Sequence, residues 1–420
     1  MLPGVPLPGD PVPGSASISD RVPPPHWSDG PATICPSLGR DPTDGSPLVT
    51  PLVPSTSYAQ RGLKSAATHR YSRESNPTVS ALERAIGDLE ESAPALCFAT
   101  GLAAETALFQ AFLTAGDHVV CSRAVYGGTT RLLEQLFTGF GVETTFVDTT
   151  DLAAIESALR PHTRLLFLET PANPTLDLTD ITRAAALARA VGALVAVDNT
   201  FLTPILQRPL ELGADFSVYS TTKLMEGHSV ALGGAIVARD LEHLERLAFV
   251  RKCIGNITSP WNAWLTLQGL KTLPVRLARQ CETAAQIATL LDADERASRV
   301  FYPTLGDARA TAISTTQHRG AHGAVVTFEI GGGLDSAVRF LDALELCRLA
   351  EHVGSIDSLL THPATMTHGG VSPETRRAAG ISDGLVRLSV GLEPAEAIWR
   401  DLDQALCAAK SSPEREAIDV

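Results

Sequence analysis

Lysine is scarce in this chain of 420 residues. Of its 34 basic residues only five are lysine, Lys64, Lys223, Lys252, Lys271 and Lys410, and the rest are arginine. Positive charge is short overall: the net charge of −13 excludes a surface built for nucleic acid or an anionic membrane, but not a local basic pocket for an anionic cofactor. The seven cysteines form no Cys-x-x-Cys pair and have no metal-ligand spacing to a histidine. That removes a zinc or other metal site and a disulfide framework, and leaves reduced, mostly buried thiols. No apolar run nears the roughly 18 residues of a membrane span. The opening MLPGVPLPGDPVPGS has no cation before Arg21 and is broken by prolines, unlike a signal peptide. The expected compartment is the cytoplasm. Internal repeats and heptad arrays are also missing.

What the chain has is length and 44% apolar content, enough for a large core and two domains. Half of its 28 prolines precede residue 55, which predicts an extended or disordered arm over residues 1–50. From residue 79 short apolar runs alternate with helical periods: ALCF, LAAETALFQAFL, DHVVCS, TTRLLEQLF, VETTFV, LAAIESAL, RLLFLE, ITRAAALARAV and ALVAVD. Two more buried strands read as FSVYS and GGAIVA. The alternation predicts an α/β domain over 79–272, a mostly parallel sheet with helices on both faces. Beyond it, the helix VRLARQCETAAQIATLL, the strands AVVTFEI and LVRLSVG and the helix AEAIWRDLDQAL predict a smaller α+β domain over 273–420.

Ligands of parallel α/β sheets bind outside the carboxyl ends of the strands, so the loops after the apolar runs are where chemistry belongs. ALCF is followed by Thr100 and Gly101 opening a helix, a natural seat for an anion. ALVAV is followed by Asp198, and FSVY by Ser220, Thr221, Thr222 and Lys223. Alone, Thr100-Gly101 reads as a helix cap, Asp198 as a turn aspartate and Lys223 as an exposed lysine. Together they supply a carboxylate for a cationic heterocycle, an amine able to form a Schiff base, and hydroxyls with a helix N-terminus for a phosphate. Those are the parts that pyridoxal 5'-phosphate requires.

The motifs YSRESNPT (71–78), ATGLAA (99–104), VYGGT (125–129), ETPANPT (169–175), VDNTF (197–201), STTKLMEGHS (220–229), HPATMTH (362–368) and LVRLSVGLE (385–393) carry a resemblance across about residues 45–410. The chain resembles the pyridoxal-phosphate enzymes of cysteine and methionine metabolism, such as cystathionine γ-synthase, cystathionine γ-lyase, methionine γ-lyase and the homoserine-ester sulfhydrylases. The resemblance implies an aminotransferase-like large domain (fold type I) with a smaller C-terminal α+β domain and an N-terminal arm. It implies that Lys223 carries the cofactor as a Schiff base and then shuttles protons, and that Asp198 pairs with the pyridine nitrogen. Ser220, Thr222 and the backbone of Gly101 and Leu102 would hold the phosphate. Tyr71 and Arg73, in an arm segment over 51–78, would reach the phosphate of a neighbouring subunit, in a homotetramer built from active-site dimers. Tyr126 would stack on the ring and serve the leaving group, Asn173 would bond the cofactor's phenolic oxygen, and Arg387 would clamp the carboxylate of an amino-acid substrate.

The departures bear on the reaction. His352 takes the place of a family serine that helps to hold the substrate carboxylate and the lysine, while Ser355 is shifted in register. It is either a working histidine or a tolerated replacement. Val230 replaces the usual acid of GHSD, and Gln268 replaces a common arginine. Gly128 stands where methionine γ-lyases carry cysteine. Trp261 and Trp264 read as packing, or as a platform for a large planar substrate. The expected activity is γ-replacement on a homoserine- or methionine-type amino acid through a vinylglycine-like electrophile, in an ordinary synthase or sulfhydrylase or in a variant taking a sulfonium such as S-adenosylmethionine. The alternative is γ- or β-elimination; a non-catalytic scaffold fits poorly with an intact Tyr71, Arg73, Tyr126, Asp198 and Lys223 set.

Overall fold

The structure is a computed structural model, and it describes residues 30–410. The part of the expected arm over 1–29 lies outside them. Within the rest of that arm, Pro31–Ile34 and Cys35–Ser37 form two helical turns, and Cys35 and Leu38 are buried in the main core. A proline at the first helical positions of both turns costs nothing there, because that N–H has no partner in a helix.

Seven strands form the larger sheet: β1 Leu96–Phe98, β2 His118–Ser122, β3 Glu143–Val147, β4 Thr163–Glu169, β5 Leu194–Asp198, β6 Phe216–Tyr219 and β7 Gly234–Ala238, in the order β1-β7-β6-β5-β4-β2-β3. Strands β2 to β6 pair in parallel, and β7 runs antiparallel to β6 and β1. Successive side chains of a strand point to opposite faces. Val119 and Cys121 of β2 and Leu165 and Phe167 of β4 therefore enter one core with the helix Gly101–Phe112, while Val120, Leu166 and Leu168 enter another with the helix Ile181–Ala190. Burial on both faces explains why these strands read as unbroken apolar runs.

The run TTRLLEQLF departs from a plain α-helix. It starts as α-helix at Gly127–Arg131, widens to a π turn at Leu132–Leu136 and tightens to a 3-10 turn at Phe137–Phe140. The Thr138 hydroxyl donates to the Leu133 carbonyl at 3.1 Å, the kind of side-chain insertion that disturbs the i to i−4 ladder. The smaller sheet contains β8 Ala297–Phe301, β9 Val325–Ile330, β10 Arg348–Leu349, β11 Leu359–Thr361 and β12 Leu385–Ser389, in the order β10-β11-β12-β9-β8. One face is covered by the helices Leu273–Asp292, Gly333–Asp342 and Ala395–Lys410. Among the described residues no helix is long and apolar enough to cross a membrane.

Two features of YSRESNPT are structural. Asn76 caps the helix Pro77–Leu89 by accepting from the N–H of Thr78 and Val79, with Pro77 opening the helix. That helix is tied to β1 by a buried ion pair: Arg251 Nη1 donates to Glu83 Oε1 at 2.5 Å and to the Cys97 carbonyl at 2.8 Å, and Glu83 Oε1 also accepts from the Cys97 N–H. Removing one partner of a buried pair strands the other charge. Arg251→Met is therefore expected to destabilise the fold by about 3–5 kcal/mol, read as a lower urea midpoint, and Glu83→Gln added to it should restore part of the loss.

Candidate active site

The carboxyl ends of β4, β5 and β6 converge opposite β12 and the segment 350–355. Glu169 and Asp198 end β4 and β5 in register with each other. Both are buried, at 6% and 8% exposure, and Glu105 of the helix Gly101–Phe112 joins them at 3%. Glu169 accepts from two backbone donors, the Tyr126 N–H at 2.8 Å and the Asn173 N–H at 2.9 Å. Asp198 accepts from the Thr200 N–H at 2.9 Å. Burial raises all three carboxyls above their ordinary range, Glu105 to about 8, and the Asp198 charge raises Glu105 and Glu169 further.

Lys223 follows β6 in a hydroxyl-rich turn. Burial and then the nearby Arg387 guanidinium push its amine down to about 8, against a weaker opposing pull from Glu351. Its Nζ lies 3.5 Å from Nδ1 of His352. Arg387, on β12, is 2% exposed. It donates from Nη1 to Asn173 Oδ1 at 2.6 Å and from Nη2 to the His352 carbonyl and the Thr361 hydroxyl, both at 3.2 Å. Its Nε is buried without a partner among the described residues. With its carbonyl side held by Arg387, the Asn173 amide is left its N–H donors.

The helix start at Gly101 lies against Ser220. A Cβ at position 101 would stand 2.9 Å from Ser220 Cβ, so only glycine lets the helix N-terminus and that hydroxyl share one cradle. Thr100 caps this helix by accepting from the Ala103 N–H at 3.0 Å, which leaves the N–H groups of Gly101 and Leu102 for an outside acceptor. The Thr222 hydroxyl is engaged: it donates to the Gly233 carbonyl at 3.1 Å and accepts from the Gly233 N–H at 3.0 Å. Tyr126 is 38% exposed, and its ring lies over Gly128, where a Cβ would sit 2.3 Å from Tyr126 Cε1.

Of the twelve residues singled out from sequence, ten gather here: Lys223, Tyr126, Gly101, Leu102, Asn173, Asp198, Ser220, Thr222, Arg387 and His352. Tyr71 and Arg73 lie apart. The Arg73 guanidinium stacks 5.1 Å from the Tyr71 ring, its side chain passes by Gly255, and an ion pair of 2.8 Å between Glu74 and Lys252 fixes the same segment. Among the described residues none of their contacts is with the Lys223 cluster. The sequence reading missed Glu105, Glu169 and Thr361, and noted Thr200 beside Asp198 without giving it a role. Glu169 had a signal, since it ends an apolar run as Asp198 does. Ser355 is buried and bonded to Asp357 at 3.2 Å, and the Trp264 N–H is committed to the Thr50 carbonyl at 2.9 Å while Trp261 stays 57% exposed. The two tryptophans therefore do not form one platform.

The family model of the Cys/Met metabolism PLP-dependent enzymes matches residues 33–407. The chain belongs to this family. It is 39% identical over 356 residues to the cystathionine gamma-lyase of Bacillus subtilis, covering 85% of this chain and 93% of that one. It is 40% identical over 338 residues to the O-succinylhomoserine sulfhydrylase of Pseudomonas aeruginosa, covering 80% and 83%. Its structure matches that of cystathionine gamma synthase from Xanthomonas oryzae pv. oryzae in complex with cystathionine, with a TM-score of 0.87, 39% identity and coverage of 90% and 98%. The chain is thus an enzyme of the γ-replacement or elimination type, its cofactor is pyridoxal phosphate, and its fold is type I.

The residues present fit that cofactor. Three buried carboxyls cluster where a protonated pyridine ring would supply the missing positive charge, and the Gly101–Ser220 cradle suits a phosphate. The buried amine has a cost without it. A lysine lowered from 10.5 to about 8 makes the unfolded chain bind more protons between those two values. Stability of the apo-protein should therefore rise with pH across that window. Lys223→Met is expected to stabilise the apo-protein at pH 7 by on the order of 1–3 kcal/mol, a gain that shrinks from pH 8 toward pH 10 in thermal unfolding.

Proposed function

We propose that the enzyme catalyses γ-replacement on a homoserine- or methionine-type amino acid. The observation that carries this is the Lys223 amine, buried beside Arg387 and held near neutrality, where a base both accepts and returns protons readily. When bound, pyridoxal phosphate supplies an electron-withdrawing ring that acidifies the carbons next to the substrate nitrogen. Arg387, still offering its Nε–H, would fix the substrate carboxylate and so set Cα and then Cβ before the lysine. Lys223 would remove the Cα proton, hand it on to the cofactor, and with its amine free again remove the Cβ proton. Tyr126, half-exposed at the site's mouth and with its phenol kept protonated by burial, would give a proton to the group leaving Cγ. The nucleophile then bonds to Cγ, its proton passing to Tyr126, and the protons at Cβ and Cα return by way of the lysine. A side chain at 128 would meet the Tyr126 ring in this orientation, so the glycine departs from the cysteine of the methionine γ-lyase pattern and leaves the ring free to lie over the backbone there.

A second reading, γ- or β-elimination in which water releases the product as an oxo acid, is favoured by the similarity to a cystathionine gamma-lyase. An ordinary cystathionine synthase or O-acylhomoserine sulfhydrylase is the replacement reading that the other relatives favour. The sulfonium variant loses support: neither of the curated relatives named above is described as acting on one, and Trp264 is tied to the fold. Purified holoenzyme should convert O-acetyl- or O-succinylhomoserine with cysteine or sulfide into the replacement product. Oxo-acid release that no thiol diverts would overturn replacement in favour of elimination. Lys223→Ala should abolish turnover, and Arg387→Lys should raise KM by about a hundredfold, because an ammonium has no Nε–H for the carboxylate and cannot hold Asn173, the His352 carbonyl and Thr361 together.

The sites are proposed to be shared between subunits of a homotetramer. Tyr71 is 43% exposed and neither it nor Arg73 meets the cluster of its own chain, which supports a role for both in a second chain. A chain carrying Arg73→Ala and one carrying Lys223→Ala, each inactive alone, should regain activity when assembled together; no recovery would sink the shared site.

A further inference from the structure

We infer that His352 is a two-sided positioning residue: its Nδ1 accepts a hydrogen bond from Lys223, and its Nε2–H donates to the carboxylate of the bound amino acid. This rests on the roles proposed above for Lys223 and Arg387. The geometry comes from two contacts and one unpaired atom. Lys223 Nζ lies 3.5 Å from Nδ1, the outer limit of a hydrogen bond and of the kind that tightens when substrate closes an apo site. The His352 carbonyl accepts from Arg387 Nη2 at 3.2 Å, which places the ring on the residue that also braces the carboxylate clamp. The second ring nitrogen, Nε2, is buried with no partner among the described residues, a position that costs free energy until a ligand supplies an acceptor.

The charges around the ring settle its protonation. Lys223 faces it from the turn after β6 and Arg387 from β12, with the exposed Glu351 as the nearest acid on its own segment. Burial, then these two cations, pull the imidazole down to about 4, so a third positive charge is not accommodated at neutral pH. A neutral ring carries one N–H. Below about 8 the lysine is an ammonium with only hydrogens to offer, so Nδ1 must be the acceptor and Nε2 the donor. A serine hydroxyl does both jobs through one atom. The imidazole divides them between two, and makes the lysine's basicity and carboxylate recognition separable by mutation.

The test uses three variants. His352→Asn keeps a polar group near the Nδ1 position, His352→Gln keeps one near Nε2, and His352→Phe keeps neither. In the apo-protein, the pH dependence of Lys223 acetylation by acetic anhydride, read by mass spectrometry, reports the amine directly. Losing an acceptor disfavours the ammonium, so the labelling midpoint should fall by at least about half a pH unit in the Gln and Phe variants and hold in Asn. In the holoenzyme, the preference for L-methionine over 3-(methylthio)propylamine, its analogue without a carboxylate, is read from cofactor absorbance. It should drop about tenfold in Asn and Phe and hold in Gln. A labelling midpoint that is the same in all four proteins, or that rises when the imidazole is removed, overturns the Lys223 contact. A methionine preference that is equal in all four overturns the carboxylate contact. If the wild type binds no cofactor through Lys223, the proposed function fails instead, and the apo-protein labelling still judges His352.

Discussion

Everything at this site follows from burying basic and acidic groups together without letting the lysine pair with a carboxylate. Lys223 and Arg387 sit on one side, Asp198, Glu169 and Glu105 on the other. A direct lysine–carboxylate pair would be the cheap arrangement, and it would leave the amine fully protonated and inert as a base. The fold avoids it by giving the acids other partners: backbone donors for Glu169, the Thr200 N–H for Asp198, and the Thr129 hydroxyl, at 3.1 Å, for Glu105. The lysine is left beside an arginine and a histidine, neither of which can take up its charge, with only a weaker pull from the exposed Glu351. Its basicity is therefore set by desolvation.

That separation is held by one chain of contacts across the two sheets. Tyr126 and Asn173 hang from the Glu169 carboxylate, Asn173 receives Arg387, and Arg387 grips the His352 carbonyl and Thr361. Glu169 belongs to the larger sheet and Arg387 to the smaller. The group proposed to hold the substrate carboxylate is thus mechanically linked to the residue proposed to meet the leaving group, and its position depends on how the two sheets pack.

How much of this was legible in the sequence depended on whether a residue's role is local. Asp198 and Lys223 could be found because each follows an unbroken apolar run, and the carboxyl end of a buried parallel strand is where such folds put their chemistry. Gly101 was visible as the start of a helix. Glu105 was not, because a glutamate inside an amphipathic period reads as a solvated face; only the packing of that helix against the strand ends turns it inward. Thr361 and the partners of Arg387 join residues far apart in sequence, and no periodicity encodes that. Thr222 was legible as a residue of the site, but its tie to Gly233 was not.

The departures from the family pattern also separate by this logic. Trp264 is explained by the Thr50 carbonyl and Ser355 by Asp357, so both answer to the fold. Gly128 and His352 do not. Gly128 lets the Tyr126 ring lie where it does, and His352 leaves a buried nitrogen unpaired. The Nε2 of His352 and the Nε of Arg387 are both buried without a partner among the described residues, one beside the base and the other on the clamp. A buried polar atom kept without a partner, beside the base and on the clamp, is what a site looks like when its remaining partner is the substrate.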